Sequence, residues 1–203
     1  MKIVYIIVSL LLVFLIYDNF FSQHSRQTPS VTINSPTPTP TQPSNKIVEP
    51  VAEFKTRITK KFYGTYITPQ NSPIKPEKFT GFHTAVDVEY EDIKGDVPVY
   101  SIDDGQVIYS GQVNGYGGFI AIQYPQYIGI YGHLQPKSLL PNKSVIKKGN
   151  VIGILGQAYS AETDGERKHL HFAILKSVKL DFRGYVQTES ELSLWIDPLT
   201  LFP

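Results

Sequence analysis

The sequence predicts an all-β, β-dominated domain, an antiparallel two-sheet sandwich, over residues 51–203 of the 203-residue chain. Three observations predict it. Apolar or alternating runs are short, and turn residues close them about every ten positions. No run sustains a helical period. The 13 Tyr and 11 Phe suit pleated, half-buried surfaces.

Before the domain, Ile3 to Tyr17 is an uncharged apolar run between Lys2 and Asp18. As a helix it spans about 22 Å against a hydrocarbon layer of roughly 30 Å, and Asn19, Phe20 and Phe21 extend it into the interface. The following residues offer no convincing small-x-small cleavage site. Residues 1–21 are therefore expected to form an uncleaved transmembrane anchor, with a cleaved export signal as the alternative. Either way the domain belongs outside the cytoplasm. Gln27 to Asn45 carries no charge and is rich in Ser, Thr, Pro and Gln, as in Ser35-Pro36-Thr37-Pro38-Thr39-Pro40. Proline removes donors and fixes φ, so residues 22–50 are expected to be a disordered linker, in which Gln27 to Asn45 alone, extended at about 3.1 Å per residue, reaches roughly 60 Å.

Within the domain, Val97 to Ile102 meets Asp103-Asp104-Gly105 and then Gln106 to Ser110, which reads as a hairpin. Asn114-Gly115-Tyr116-Gly117-Gly118 turns into the run Phe119 to Tyr124. Further strands are expected over Tyr127–Leu134, within Val145–Leu155 and over Leu170–Leu175. About 150 residues bury enough surface for a stable core without crosslinks.

Composition narrows the chemistry. The net charge is +1, and residues 51–203 carry equal numbers of basic and acidic side chains, so no one-sided basic field exists for nucleic acid. There is no cysteine, which excludes disulfide frameworks, thiolate metal sites, cysteine nucleophiles and lipoprotein anchors. A metal must be held by His, Asp or Glu, and there are five His. His24, in the linker, is incidental. In His169-Leu170-His171-Phe172 the alternation places both imidazoles on one strand face and Leu170 toward the core. His83-Thr84-Ala85-Val86-Asp87 offers a second pair, about 13 Å apart if extended, so the segment must bend for both to reach one ion. A His and a carboxylate from here with one His from the His-x-His strand make a three-ligand N,N,O set. Such a set leaves a fourth position for water, as in catalytic zinc sites. His133 ends the strand Tyr131-Gly132-His133-Leu134.

With HTAVD, VPVYSIDDGQVIYSG, NGYGGFIAIQY, YGHL, VIKKGNVIGILG, HLHFAI and WIDPLTLF in this order, residues 79–202 resemble the M23 metallopeptidases, the lysostaphin or LytM-type endopeptidases of bacterial cell walls. The resemblance implies one Zn²⁺ per domain on His83, Asp87 and His171, with His133 and His169 as catalytic, non-ligand histidines. It implies a peptidoglycan peptide as substrate and a place in the bacterial cell envelope, with the N-terminal segment as the membrane contact or, if cleaved, a secreted protein. No HExxH glutamate is present, so an imidazole must handle the proton. Three departures stand out: Ala85 replaces the glycine of the first motif, Ala173 replaces a common glutamate, and the polar loop Ala158–Lys168 replaces a short Gly-rich one. A non-hydrolytic scaffold or glycan-binding module on the same fold is the alternative. A biotinyl- or lipoyl-carrier sandwich is a third reading, but Asp103-Asp104-Gly105 lacks the lysine needed at the hairpin tip.

Overall fold

The computed structural model describes residues 46–202. The expected anchor at 1–21 and most of the expected linker lie outside the described residues. Among these, no helix is long and apolar enough to cross a membrane. Residues 46–50, read from sequence as the linker's end, lie against the domain. Val48 N–H donates to the Ile102 carbonyl and Tyr100 N–H to that of Pro50.

The described chain is β-dominated, and every strand pairing is antiparallel. The strands are β1 (Tyr66–Ile67), β2 (Gly81–His83), β3 (Ala85–Glu89), β4 (Pro98–Tyr100), β5 (Gly105–Val113), β6 (Gly117–Gln123), β7 (Ile128–Leu134), β8 (Val145–Ile146), β9 (Val151–Ile154), β10 (His169–Leu175), β11 (Tyr185–Val186) and β12 (Trp195–Ile196). A helical turn, Glu189–Leu192, was not expected. It carries a complete capping box, with Thr188 accepting from Glu191 N–H and the Glu191 carboxylate accepting from Thr188 N–H.

Where two packed sheets were expected, the strands form three. A seven-stranded sheet runs β12-β10-β7-β6-β5-β8, with β3 also on β10; β1-β2-β11 and β4-β9 form small sheets. The expected hairpin at Asp103-Asp104-Gly105 is corrected too: β4 pairs with β9, whereas β5 pairs with β6 and β8. The turn carries the chain from one sheet to another, and so does the segment between β8 and β9. The two turns brace each other. Asp104 accepts from Lys148 N–H and Lys147 Nζ, and Ser101 N–H donates to the Asn150 carbonyl.

The large sheet buries both faces. On one, Val86, Val88, Leu170, Phe172, Ile174, Tyr131, Ile120 and Ile122 pack against Val99 and Ile152 of the β4–β9 pair and against Phe54 and Phe202. Phe54 meets Phe172 edge-on at 5.7 Å. On the other, Ala173, Leu175, Ile128, Ile130, Phe119 and Ala121 form a second core capped by Trp195. Period-two alternation extends this second face toward one end of β3 and β10. Asp87 and Glu89 share the face of Ala85, and His169 and His171 share the face of Ala173, so the apolar core gives way to ionisable groups along one surface.

Candidate metal centre

Register brings the groups together. In the β3–β10 ladder His171 lies opposite Asp87, and His169 lies opposite Glu89. His83 arrives from another sheet. It ends β2, and the chain turns at Thr84, whose N–H and Oγ1 donate to the carbonyls of Gly184 and Arg183. This is the bend that the His83–Asp87 spacing requires. Ala85 enters β3 without a positive φ, so the missing glycine costs nothing there.

His83, Asp87 and His171 form the one metal-competent group of three among the described residues, and all are buried. His83 Nε2 is 3.3 Å from His171 Nδ1 and 3.4 Å from Asp87 Oδ1; His171 Nδ1 is 3.2 Å from the same oxygen. Three ligands of a tetrahedral zinc at about 2.0–2.1 Å would stand about 3.3 Å apart. His83 Nδ1 lies 3.3 Å from the Phe62 carbonyl, which can only accept, so the proton sits there and the Nε2 lone pair faces the other two. Asp87 Oδ1 accepts no hydrogen bond although it is buried. Burial alone would raise the Asp87 carboxyl, but His169, His83 and His171 hold it well below the usual range. An ionised oxygen and two imidazole nitrogens therefore converge, and with the His171 proton on Nε2 a divalent cation would satisfy all three.

Two further histidines flank the triangle, their rings 4.3 Å apart. His169 Nδ1 donates to the Arg167 carbonyl at 2.9 Å, and its Nε2 is 3.5 Å from Asp87 Oδ2. His133 Nδ1 donates to the Thr163 carbonyl at 3.1 Å. Each thus presents Nε2 with its lone pair free. Burial pushes the His133 imidazole down to about 3, with His171 adding to the effect, and burial with Arg167 holds His169 well below its ordinary value. Both are therefore neutral near pH 7, with Nε2 unprotonated.

His133 reaches the centre through a β-bulge. Leu134 pairs with Gly118 and Gly132 with Phe119, which leaves His133 as an extra residue with φ 63°. Without the bulge, alternation would send this side chain to the opposite face. Gly132 is required beside it, since a Cβ there would lie 2.4 Å from Tyr116 Cδ1 and 3.4 Å from His171 Cβ.

The centre opens into a cavity of about 310 Å³ whose walls include Tyr116, Tyr185, Phe79, Arg183 and Gln187. Tyr116 packs edge-on against Phe119 and also lines this cavity beside His171. Tyr124, Tyr131 and Trp195 are core residues. Sequence reading missed the Phe62 carbonyl and three further contributors. The Thr163 and Arg167 carbonyls fix the histidine tautomers, and the Arg167 side chain is buried against Asp87 and Glu89. The loop Ala158–Lys168 therefore supports the centre from beneath as well as rimming it.

Residues 81–182, half of the chain, match the family described as Peptidase family M23. No curated protein matches the chain. Among solved structures it is similar to the catalytic domain of the antimicrobial peptidase lysostaphin from Staphylococcus simulans, with 23% identity over 75% of this chain and 97% of that one, at a TM-score of 0.50. It is also similar to a chain of the SpoIIIAH and SpoIIQ complex, with 18% identity over 77% and 100% of the two chains, at a TM-score of 0.54. These likenesses concern the fold. Together with the family match across β2 to β10 and beyond, they place the histidine–aspartate centre on a known scaffold, and the chain belongs to peptidase family M23.

Proposed function

We propose that this chain is a zinc-dependent endopeptidase that hydrolyses peptide bonds of bacterial peptidoglycan, with zinc on His83, Asp87 and His171. The observation that carries the reading is the 3.2–3.4 Å triangle of donor atoms whose one carboxylate oxygen has no hydrogen-bond partner. Zinc held there supplies a Lewis acid for the peptide carbonyl and lowers the pKa of a water to about 7. The protein supplies the proton traffic. With Nδ1 committed to main-chain carbonyls, His133 and His169, both in the cavity wall, keep Nε2 for proton transfer. Between them they accept the proton of the attacking water and return one to the leaving amine. The expected N-terminal anchor and linker would hold this domain in the cell envelope, within reach of the wall.

The test compares two pairs of variants on purified sacculi. His171→Ala and Asp87→Ala should lose both bound zinc and hydrolysis. His133→Ala and His169→Ala should keep stoichiometric zinc and lose hydrolysis. Wall-degrading activity that survives in either pair overturns the assignment. Stoichiometric zinc in the wild type with no turnover would instead favour a non-hydrolytic scaffold or binding module.

A further inference from the structure

We propose that Arg167 is a positioning residue of this centre, fixing Asp87 with its side chain and His169 with its main chain. The inference rests on the metal reading proposed for His83, Asp87 and His171. Arg167 lies two residues before His169, just outside β10, and its side chain turns onto the Asp87 and Glu89 carboxylates. Across the β3–β10 ladder these two residues lie opposite His171 and His169. Arg167 Nη2 donates to Asp87 Oδ2 at 2.8 Å and to Glu89 Oε1 at 2.7 Å, while Nε donates to both Glu89 oxygens at 3.1 and 2.8 Å. The residue is 3% exposed.

Asp87 is thereby divided. Its Oδ2 is taken by Arg167, and Oδ1 alone faces His83 and His171 without a partner. A carboxylate free to rotate could offer a cation either oxygen or both; this one is held so as to offer one. Glu89 in turn holds the guanidinium by its flat fork, a geometry lysine cannot reproduce. It also offsets the charge that Arg167 would otherwise place beside a cation. Groups behind metal ligands set ligand orientation, and their loss commonly costs 10–100-fold in metal affinity.

The full-length chain can be tested with two metals alone. Zinc affinity is measured by competition with a chromophoric chelator, and Co²⁺ reports coordination through its visible absorption. Arg167→Lys keeps the charge but cannot span both carboxylates. The double variant Arg167→Met with Glu89→Leu replaces the buried pair by apolar groups, a change that is often neutral for folding. Both should unfold cooperatively, bind zinc 10–100-fold more weakly and give an altered Co²⁺ spectrum. If either folded variant binds zinc within about threefold of wild type with an unchanged Co²⁺ spectrum, the inference fails. Should the double variant not fold, Arg167→Lys decides alone. A wild-type chain that takes up no zinc removes the metal reading itself, a distinct result from a wild type that binds and variants that bind equally well.

Discussion

His133 sits at φ 63°, a conformation that asparagine tolerates better than most side chains. His133→Asn should therefore keep the bulge and the unfolding midpoint while abolishing hydrolysis. His133→Val, β-branched and strained at positive φ, should also destabilise the fold by about 1–3 kcal/mol. Thermal unfolding alongside sacculus turnover separates the two effects. At this scale the sequence was informative about the histidines and the aspartate that could hold a metal. The four histidines of the domain and Asp87 could be singled out by residue type and spacing, and the structure places all five in one cluster. The Phe62, Thr163 and Arg167 carbonyls could not, because a main-chain oxygen has no letter of its own. Arg167 was hidden for another reason. In a polar loop beside Glu166 and Lys168 it reads as solvated, and only its buried ion pair with Glu89 shows otherwise.

β10 is the element on which both layers depend. It pairs with β3, β7 and β12, sends Leu170, Phe172 and Ile174 into one core, and directs His169 and His171 to the other face. Phe172→Ala should cost about 3–5 kcal/mol in denaturant unfolding, through lost burial and a cavity beside Phe54 and Phe202. A cost below about 1 kcal/mol would mean that this core does not hold the strand. Strand positions from β4 to β10 were legible because period-two patterning and turn residues are local. Pairings were not. Asp103-Asp104-Gly105 has the composition of a hairpin turn, yet the Asp104 carboxylate is spent on Lys147 and Lys148 from a distant segment, so the flanking strands diverge. The division into three sheets arises from such long-range bonds, which no local window contains.

For the molecule as a whole, the buried pair Lys61–Glu77 couples pH to stability. Lys61 Nζ lies 2.6 Å from Glu77 Oε2 and also donates to Tyr185 OH, while Ser72 Oγ and Phe79 N–H donate to the same carboxylate. Burial alone would raise the Glu77 carboxyl; these bonds outweigh it and hold it below its ordinary value. Folding thus favours the ionised form. The associated stability is present above the unfolded value of about 4.3 and is lost as pH falls through the lower folded value. Glu77→Gln should lower the unfolding midpoint at pH 7 and flatten its decline between about pH 5 and 3. An acid slope identical to wild type would show that other carboxylates govern it.

The switch of sheets at Thr84 has a mechanical meaning. His83 belongs to the small β1-β2-β11 sheet, with Tyr185 as its cross-strand neighbour, while Asp87 and His171 belong to the large one. An ion gripping all three is a rivet through two separate plates. Without one, the small sheet is tied to the large one through Lys61, whose Nζ donates to Tyr185 OH and whose carbonyl accepts from Asp87 N–H. Loading the centre and clamping the wall of the cleft are then one act.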